Sequence, residues 1–142
     1  MLVRHDQGRP IVGSGDHRYT WIEDWASIPD ARKAPVGWAE HGVAVTLSDA
    51  VLVCHPARPL LIEMDARGRL LRSDDLPLTE CHGLCQVREG GQEYLWIADI
   101  GAKCDYKHGY EEIAAEAGPQ VVKLDSDRNV VARRATRGGS HE

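Results

Sequence analysis

At 142 residues the chain is long enough for one domain of ordinary size and too short for several. The net charge of −5, from 22 acidic and 17 basic residues, carries no dominating run apart from the basic stretch Arg133, Arg134 and Arg137, which excludes a nucleic-acid footprint. No apolar run approaches the ~20 residues of a membrane span and Met1–Asp6 has no secretory core, so the expectation is a cytoplasmic protein without a membrane partner.

Residues 1–40 hold strand-like stretches at Arg9–Val12 and Tyr19–Ile22, separated by the turn Gly13-Ser14-Gly15-Asp16. A connection with Pro29 and Pro35 and no hydrophobic period follows, which reads as a loop. This region is expected to add an extra N-terminal strand, with Trp21, Trp25 and Trp38 anchoring the loop on the sheet that follows.

From His41 the pattern becomes a repeat. His41-Gly42-Val43-Ala44-Val45 leads through Leu47-Ser48-Asp49 into the apolar run Val51-Leu52-Val53-Cys54, which stops at His55-Pro56. Leu61–Asp65 is a third strand. The turn Asp65-Ala66-Arg67-Gly68 leads to a fourth, Arg69–Arg72. The second copy starts about 41 residues later at Cys81-His82-Gly83-Leu84. It turns at Glu89-Gly90-Gly91-Gln92, runs Tyr94-Leu95-Trp96-Ile97-Ala98-Asp99, and closes with Val121–Asp125 and Asn129–Ala132. Asn129 is the residue expected in the left-handed conformation at that last turn. An insertion, 101–119, separates its second and third strands, and Tyr110–Ala117 within it reads as one or two helical turns between Gly109 and Gly118-Pro119.

Two four-stranded units in series predict an all-β fold, a β-propeller segment of about two antiparallel blades plus the N-terminal strand. The divisions are 41–80 for the first blade, 81–133 for the second, and 134–142 for a tail. Two blades leave two apolar flanks open, so the expected partners are further blades or copies of the chain itself, a trimer giving six blades.

The motifs Gly42-Val43-Ala44-Val45 and Met64-Asp65-Ala66-Arg67-Gly68-Arg69-Leu70 resemble those of the NHL-repeat six-bladed propellers, over roughly residues 9–133. Among these the peptidyl-α-hydroxyglycine α-amidating lyase domain is the nearest functional relative. That resemblance implies a catalytic zinc held by histidines from alternate blades and a calcium bound by backbone carbonyls near the axis. Carried to this chain, it assigns His82 to zinc and the carbonyls of Val43 and Leu84 to calcium, the other zinc histidines falling in blades beyond these two; apart from the resemblance, His41 at the start of the neighbouring blade is a weaker metal candidate. The family's catalytic arginine falls near Pro56, where this chain has no arginine; Arg58 is close by.

Strand alternation separates His82 from Cys81 and Cys85, so Cys81-His82-x-x-Cys85 is not a zinc knuckle despite its spacing. Cys54 and Cys85 sit in apolar strands and behave as small hydrophobes that stay reduced in a cytoplasm. Asp99 ends its strand as a turn cap, with general base or cation ligand as the sharper reading. Topology gathers His55, Arg58, Asp99, Lys103, Asp105, Tyr106, His108 and Tyr110 at one end of the sheets, the end where loops carry function. No phosphate loop, dinucleotide fingerprint, Gly-x-Ser-x-Gly or His-Glu-x-x-His motif is present. The expected function is therefore a binding or scaffold module that takes a small molecule, peptide or protein at that end. The alternative is a metal-dependent enzyme of the amidating-lyase or lactonase kind.

Overall fold

The computed structural model describes residues 4–6, 8–29, 42–55, 58–105, 111–114 and 118–136. The described residues are all-β, without a helix, and none of their segments is a helix long and apolar enough to cross a membrane. The N-terminal strands form their own meander of β1 (Arg4–Asp6), β2 (Arg9–Ser14) and β3 (His17–Thr20), in the order β1-β2-β3. Strand β2 is thus paired on both sides.

Two four-stranded antiparallel sheets follow. The first has the order β4 (Val43–Val45), β5 (Val51–Cys54), β6 (Leu60–Met64) and β7 (Leu70–Asp75). The second contains β8 (Gly83–Glu89), β9 (Gln92–Asp99), β12 (Gln120–Leu124) and β13 (Val130–Ala135), with order β13-β12-β9-β8. Between β9 and β12 stands a hairpin of β10 (Ala102–Asp105) and β11 (Glu111–Ala114). The helix expected over 110–117 is absent in its described part, because Glu111–Ala114 pairs with β10 from Asp105↔Glu111 to Ala102↔Ala114. Cross-strand pairing overrides the helix propensity of Glu and Ala there.

The repeat extends to single residues. Val53 pairs Val43 and Ile62 in the first sheet as Ile97 pairs Leu84 and Val122 in the second. The last turns match as well. The Oδ1 of Asp65 accepts the Arg67 and Arg69 amides at 2.8 and 3.0 Å, and the Oδ1 of Asp125 accepts the Asn129 amide at 2.8 Å. Hydrogen bonds from the residue four places on, Arg69 or Asn129, hold each carboxyl below the ordinary range. Gly68 takes the left-handed slot in the first copy, at φ 73°. In the second the slot falls on Arg128, at φ 72°, and not on Asn129. The side chain of Arg128 then crosses to the first sheet, with Nη2 on Glu63 Oε2 at 2.5 Å and Nε 3.9 Å from Asp74. Guanidinium nitrogens of Arg72 run the other way, to the carbonyls of Ser126 and Asp127.

The two sheets pack face to face. Ala44, Leu52, Cys54 and Leu61 of the first meet Leu95, Ile97, Val122 and Leu124 of the second, and each fully buried aliphatic side chain there contributes about 1.5–3 kcal/mol. At one side the edge strands β4 and β8 of the two sheets nearly touch. Gly42 donates its amide to the His82 carbonyl at 2.6 Å, and a Cβ on Gly42 would stand 2.4 Å from the Leu84 nitrogen. The opposite face of the first sheet, Leu60, Ile62 and Met64, is covered by Trp25, Ala26 and Ile28. Trp25 is therefore the anchor expected of it. Trp21, at 56% exposure, is not, and Trp38 lies outside the described residues.

Cys54 and Cys81, at 3% and 2% exposure, meet in the seam between the sheets. A hydrogen bond with Cys81, then burial, pushes the Cys54 thiol well above its ordinary value. Since the thiolate is the nucleophile, Cys54 should resist alkylation in the folded protein and react at the unfolded rate in denaturant. Iodoacetamide labelling mapped by mass spectrometry checks this; labelling of Cys54 in the native protein as fast as in urea would contradict the packing.

Candidate functional site

The connections β5–β6 and β9–β12 and the segments leading into β4 and β8 lie at one end of the sheets, called here the loop end. The tight hairpins lie at the other, the turn end. His55, Arg58, His82 and Asp99 are all at the loop end, where the strand pattern places them.

Asp99 is the most constrained polar group there. It is 2% exposed, and its two oxygens accept four hydrogen bonds. Oδ1 takes the amides of Glu80 at 3.1 Å and Gly101 at 3.0 Å. Oδ2 takes the Thr79 amide at 3.0 Å and Gln120 Nε2 at 2.8 Å. Gln120 Oε1 in turn accepts Arg133 Nη1 at 2.7 Å. Burial on its own raises the pKa of Asp99, but the amides of Thr79 and Gly101, the Gln120 side chain and the Glu80 amide outweigh it, and the carboxyl lies below its ordinary value. An acceptor so fully occupied ties the lead-in of β8 to the root of the insertion. It has no lone pair to spare for a substrate proton.

His55 stands at the same place in the first sheet, one residue past the Cys54↔Leu61 pair as Asp99 is one past Ala98↔Val121. It is buried too, and its Nε2 lies 2.9 Å from the Pro29 carbonyl. Each sheet therefore closes its second strand with a buried polar side chain gripping a connecting segment. Arg58 is exposed beside it.

His82 is half-buried at the seam; its amide donates to the Ala98 carbonyl at 2.8 Å while its carbonyl takes Gly42. Val43 and Leu84 occupy equivalent places on the neighbouring edge strands β4 and β8. Among the described residues no three His, Cys, Asp or Glu side chains converge on one point, around His82 or elsewhere. His41, Tyr106, His108 and Tyr110 lie outside the described residues. Lys103 and Asp105 are placed by their backbone in β10.

The two ends of the insertion meet closely at its root. Gly101, at φ 70°, faces the Gly118-Pro119 peptide so closely that a Cβ would lie 2.0 Å from the Gly118 carbonyl carbon. Beyond this clamp β10 and β11 pair from Ala102↔Ala114 to Asp105↔Glu111, with Lys103 and Asp105 along β10.

Sequence reasoning missed a cleft of about 270 Å³ at the turn end, between the sheets. Thr46, Ser48, Glu63, Arg72, Glu93 and Arg128 line it. Two of its carboxylates are engaged within the protein: Glu63 is ion-paired with Arg128, and Glu93 accepts the Leu47 amide at 2.6 Å and the Gln86 side chain. The signal for it was Arg128 falling in the slot that holds glycine in the first copy.

Comparison with protein-family models, with curated proteins and with solved structures finds no match to this chain.

Proposed function

We propose that this chain is a β-propeller-type scaffold of the NHL kind that serves as a binding module, with the β10–β11 hairpin as its recognition element at the loop end. The observation that carries this reading is the clamped root of the insertion. A loop that only joined β9 to β12 would need a few residues, and the first sheet crosses the same gap between Cys54 and Leu60. Here the chain spends 20 residues, from Ile100 to Pro119, fastened by Asp99 and the Gly101–Gly118 contact. Long, rooted insertions on a stable sheet scaffold are where binding determinants concentrate. The hairpin's mixed Lys103 and Asp105 suits a polar peptide or small polar ligand.

The test compares the full chain with a variant in which Gly-Gly joins Ala102 to Ala114. Both are screened against the same peptide and small-molecule collection by thermal shift, with zinc and calcium content measured on each. The trimmed chain should stay folded, because Asp99, Gly101 and Gly118 at the root of the insertion are retained, and lose affinity for the full chain's ligands by about tenfold or more. Ligands that bind both chains equally would overturn the hairpin reading. Stoichiometric zinc lost on His82→Ala would favour the metal-dependent enzyme instead.

A further inference from the structure

The two sheets are copies, yet among the described residues only the first has both faces covered. In the first, Ala44, Leu52, Cys54 and Leu61 form the face that the second sheet buries, at 7%, 1%, 3% and 1% exposure. Register places Cys85, Trp96, Ala98 and Val121 at the matching positions of the second sheet. There Cys85 is exposed and the other three are half-buried. The glycines tell the same story. A Cβ on Gly42 would collide with the edge strand of the following sheet, whereas one on Gly83 would meet only the Ala98 Cβ, at 3.6 Å. Gly83 thus repeats a close-approach residue at a place where, among the described residues, no strand approaches.

The complementary surface exists at the other end of the same chain. Leu84, which packs into the seam, corresponds in register to Val43, which is 62% exposed beside Val45 at 52%. Where the first sheet presents Glu63 and Asp74 to Arg128, the second has at the matching positions Lys123, ion-paired with Glu89 at 2.5 Å, and Arg134, which is exposed and open to an acidic partner. The segment Trp25–Ile28 that covers the rest of the Val43 face is preceded by the exposed acids Glu23 and Asp24.

We propose that copies of this chain associate head to tail, the face of the second sheet around Gly83, Cys85 and Trp96 receiving the edge strand Val43–Val45 of the next copy. This contact is heterologous, so it propagates until the rotation closes a ring. It does not depend on the hairpin, and trimming the hairpin should leave it intact.

The test is light scattering of the full chain over a concentration series, with Cys85 alkylation followed on the same samples. The wild type should pass from 15.7 kDa to a multiple of that mass as concentration rises, with Cys85 becoming protected in step. Gly83→Ala, whose Cβ would meet the Ala98 Cβ at an ordinary 3.6 Å, should fold normally and weaken association by about tenfold or more. Val43→Asp, on the opposite surface and already solvent-exposed, should do the same. Should the Gly83 variant misfold, the Val43 variant alone decides. In a Cys104→Ser background, Val43→Cys should form a disulfide between chains that Cys85→Ser abolishes. A monomer at every concentration, or assemblies indifferent to both variants, would overturn the proposal.

Discussion

Replacing Asp99 with alanine should cost about 3–5 kcal/mol of folding stability, a large part of what a domain of this size possesses. Three backbone amides and one side-chain amide converge on this carboxylate, and the alanine methyl answers none of them. Each buried donor left without an acceptor costs about 1–3 kcal/mol, reduced where water can enter from the loop end. Asp99→Asn should cost about half as much, since one oxygen remains and an NH₂ group is turned against a donor. The carboxyl's lowered pKa gives the pH dependence its sign. The unfolded chain binds the proton more readily than the folded one, so the stabilisation is complete at neutral pH and is lost below about pH 4, as the pH falls through the folded value. Urea unfolding of wild type and Asp99→Asn at pH 7 and pH 3 measures both effects. The midpoints should converge at the lower pH. A constant gap between them would mean that the carboxylate charge contributes nothing.

How far the sequence led is best seen at this residue. An Asp followed two places later by Gly at a strand end reads as a turn cap, and the Gly101 amide is where that reading puts it. The partners Thr79, Glu80 and Gln120 come from segments about 20 residues away, which local pattern does not connect. The strands themselves were legible because alternation and turn residues are local signals, and the same held for the turn after Asp65. Two misreadings have one cause. Glu111–Ala114 was read as helix and Asn129 as left-handed on intrinsic preference, while the structure obeys pairing with β10 in one case and the turn's count from Asp125 in the other. The first sheet supplied the correction for Arg128 in advance, because Gly68 stands three residues after Asp65. The burial of His55 rests on Pro29, 26 residues away, and no short-range signal announces it.

Gly68→Ala should be nearly as damaging as the loss of Asp99, for a reason confined to one atom. At φ 73° a non-glycine residue costs about 1 kcal/mol. The added Cβ would also stand 1.8 Å from the Trp25 carbonyl oxygen and 2.7 Å from its carbon. Neither group is free to yield, because Ser27 donates its amide to the Gly68 carbonyl at 3.0 Å and Trp25 Nε1 bonds the Ala66 carbonyl at 3.3 Å. The segment Trp25–Ile28 must lift off, exposing Leu60, Ile62 and Met64, and the total loss should reach about 3–4 kcal/mol. Gly90→Ala supplies the control: φ is 57° and a Cβ meets nothing within 4 Å, so only the backbone term of about 1 kcal/mol should appear. In the second copy the effect should reverse in kind. Arg128→Gly relieves the same backbone term yet leaves half-buried Glu63 without its cation, a net loss of about 1–2 kcal/mol. Urea midpoints rank the three variants, and near-ultraviolet circular dichroism reports whether Trp25 has left the sheet. Equal losses for Gly68→Ala and Gly90→Ala would show that the Trp25 segment does not rest on this turn. The same slot is thus closed by backbone in one copy and opened to a cross-sheet arginine in the other, and that exchange lets a repeated turn serve first as a seat for the N-terminal segment and then as a strut between sheets.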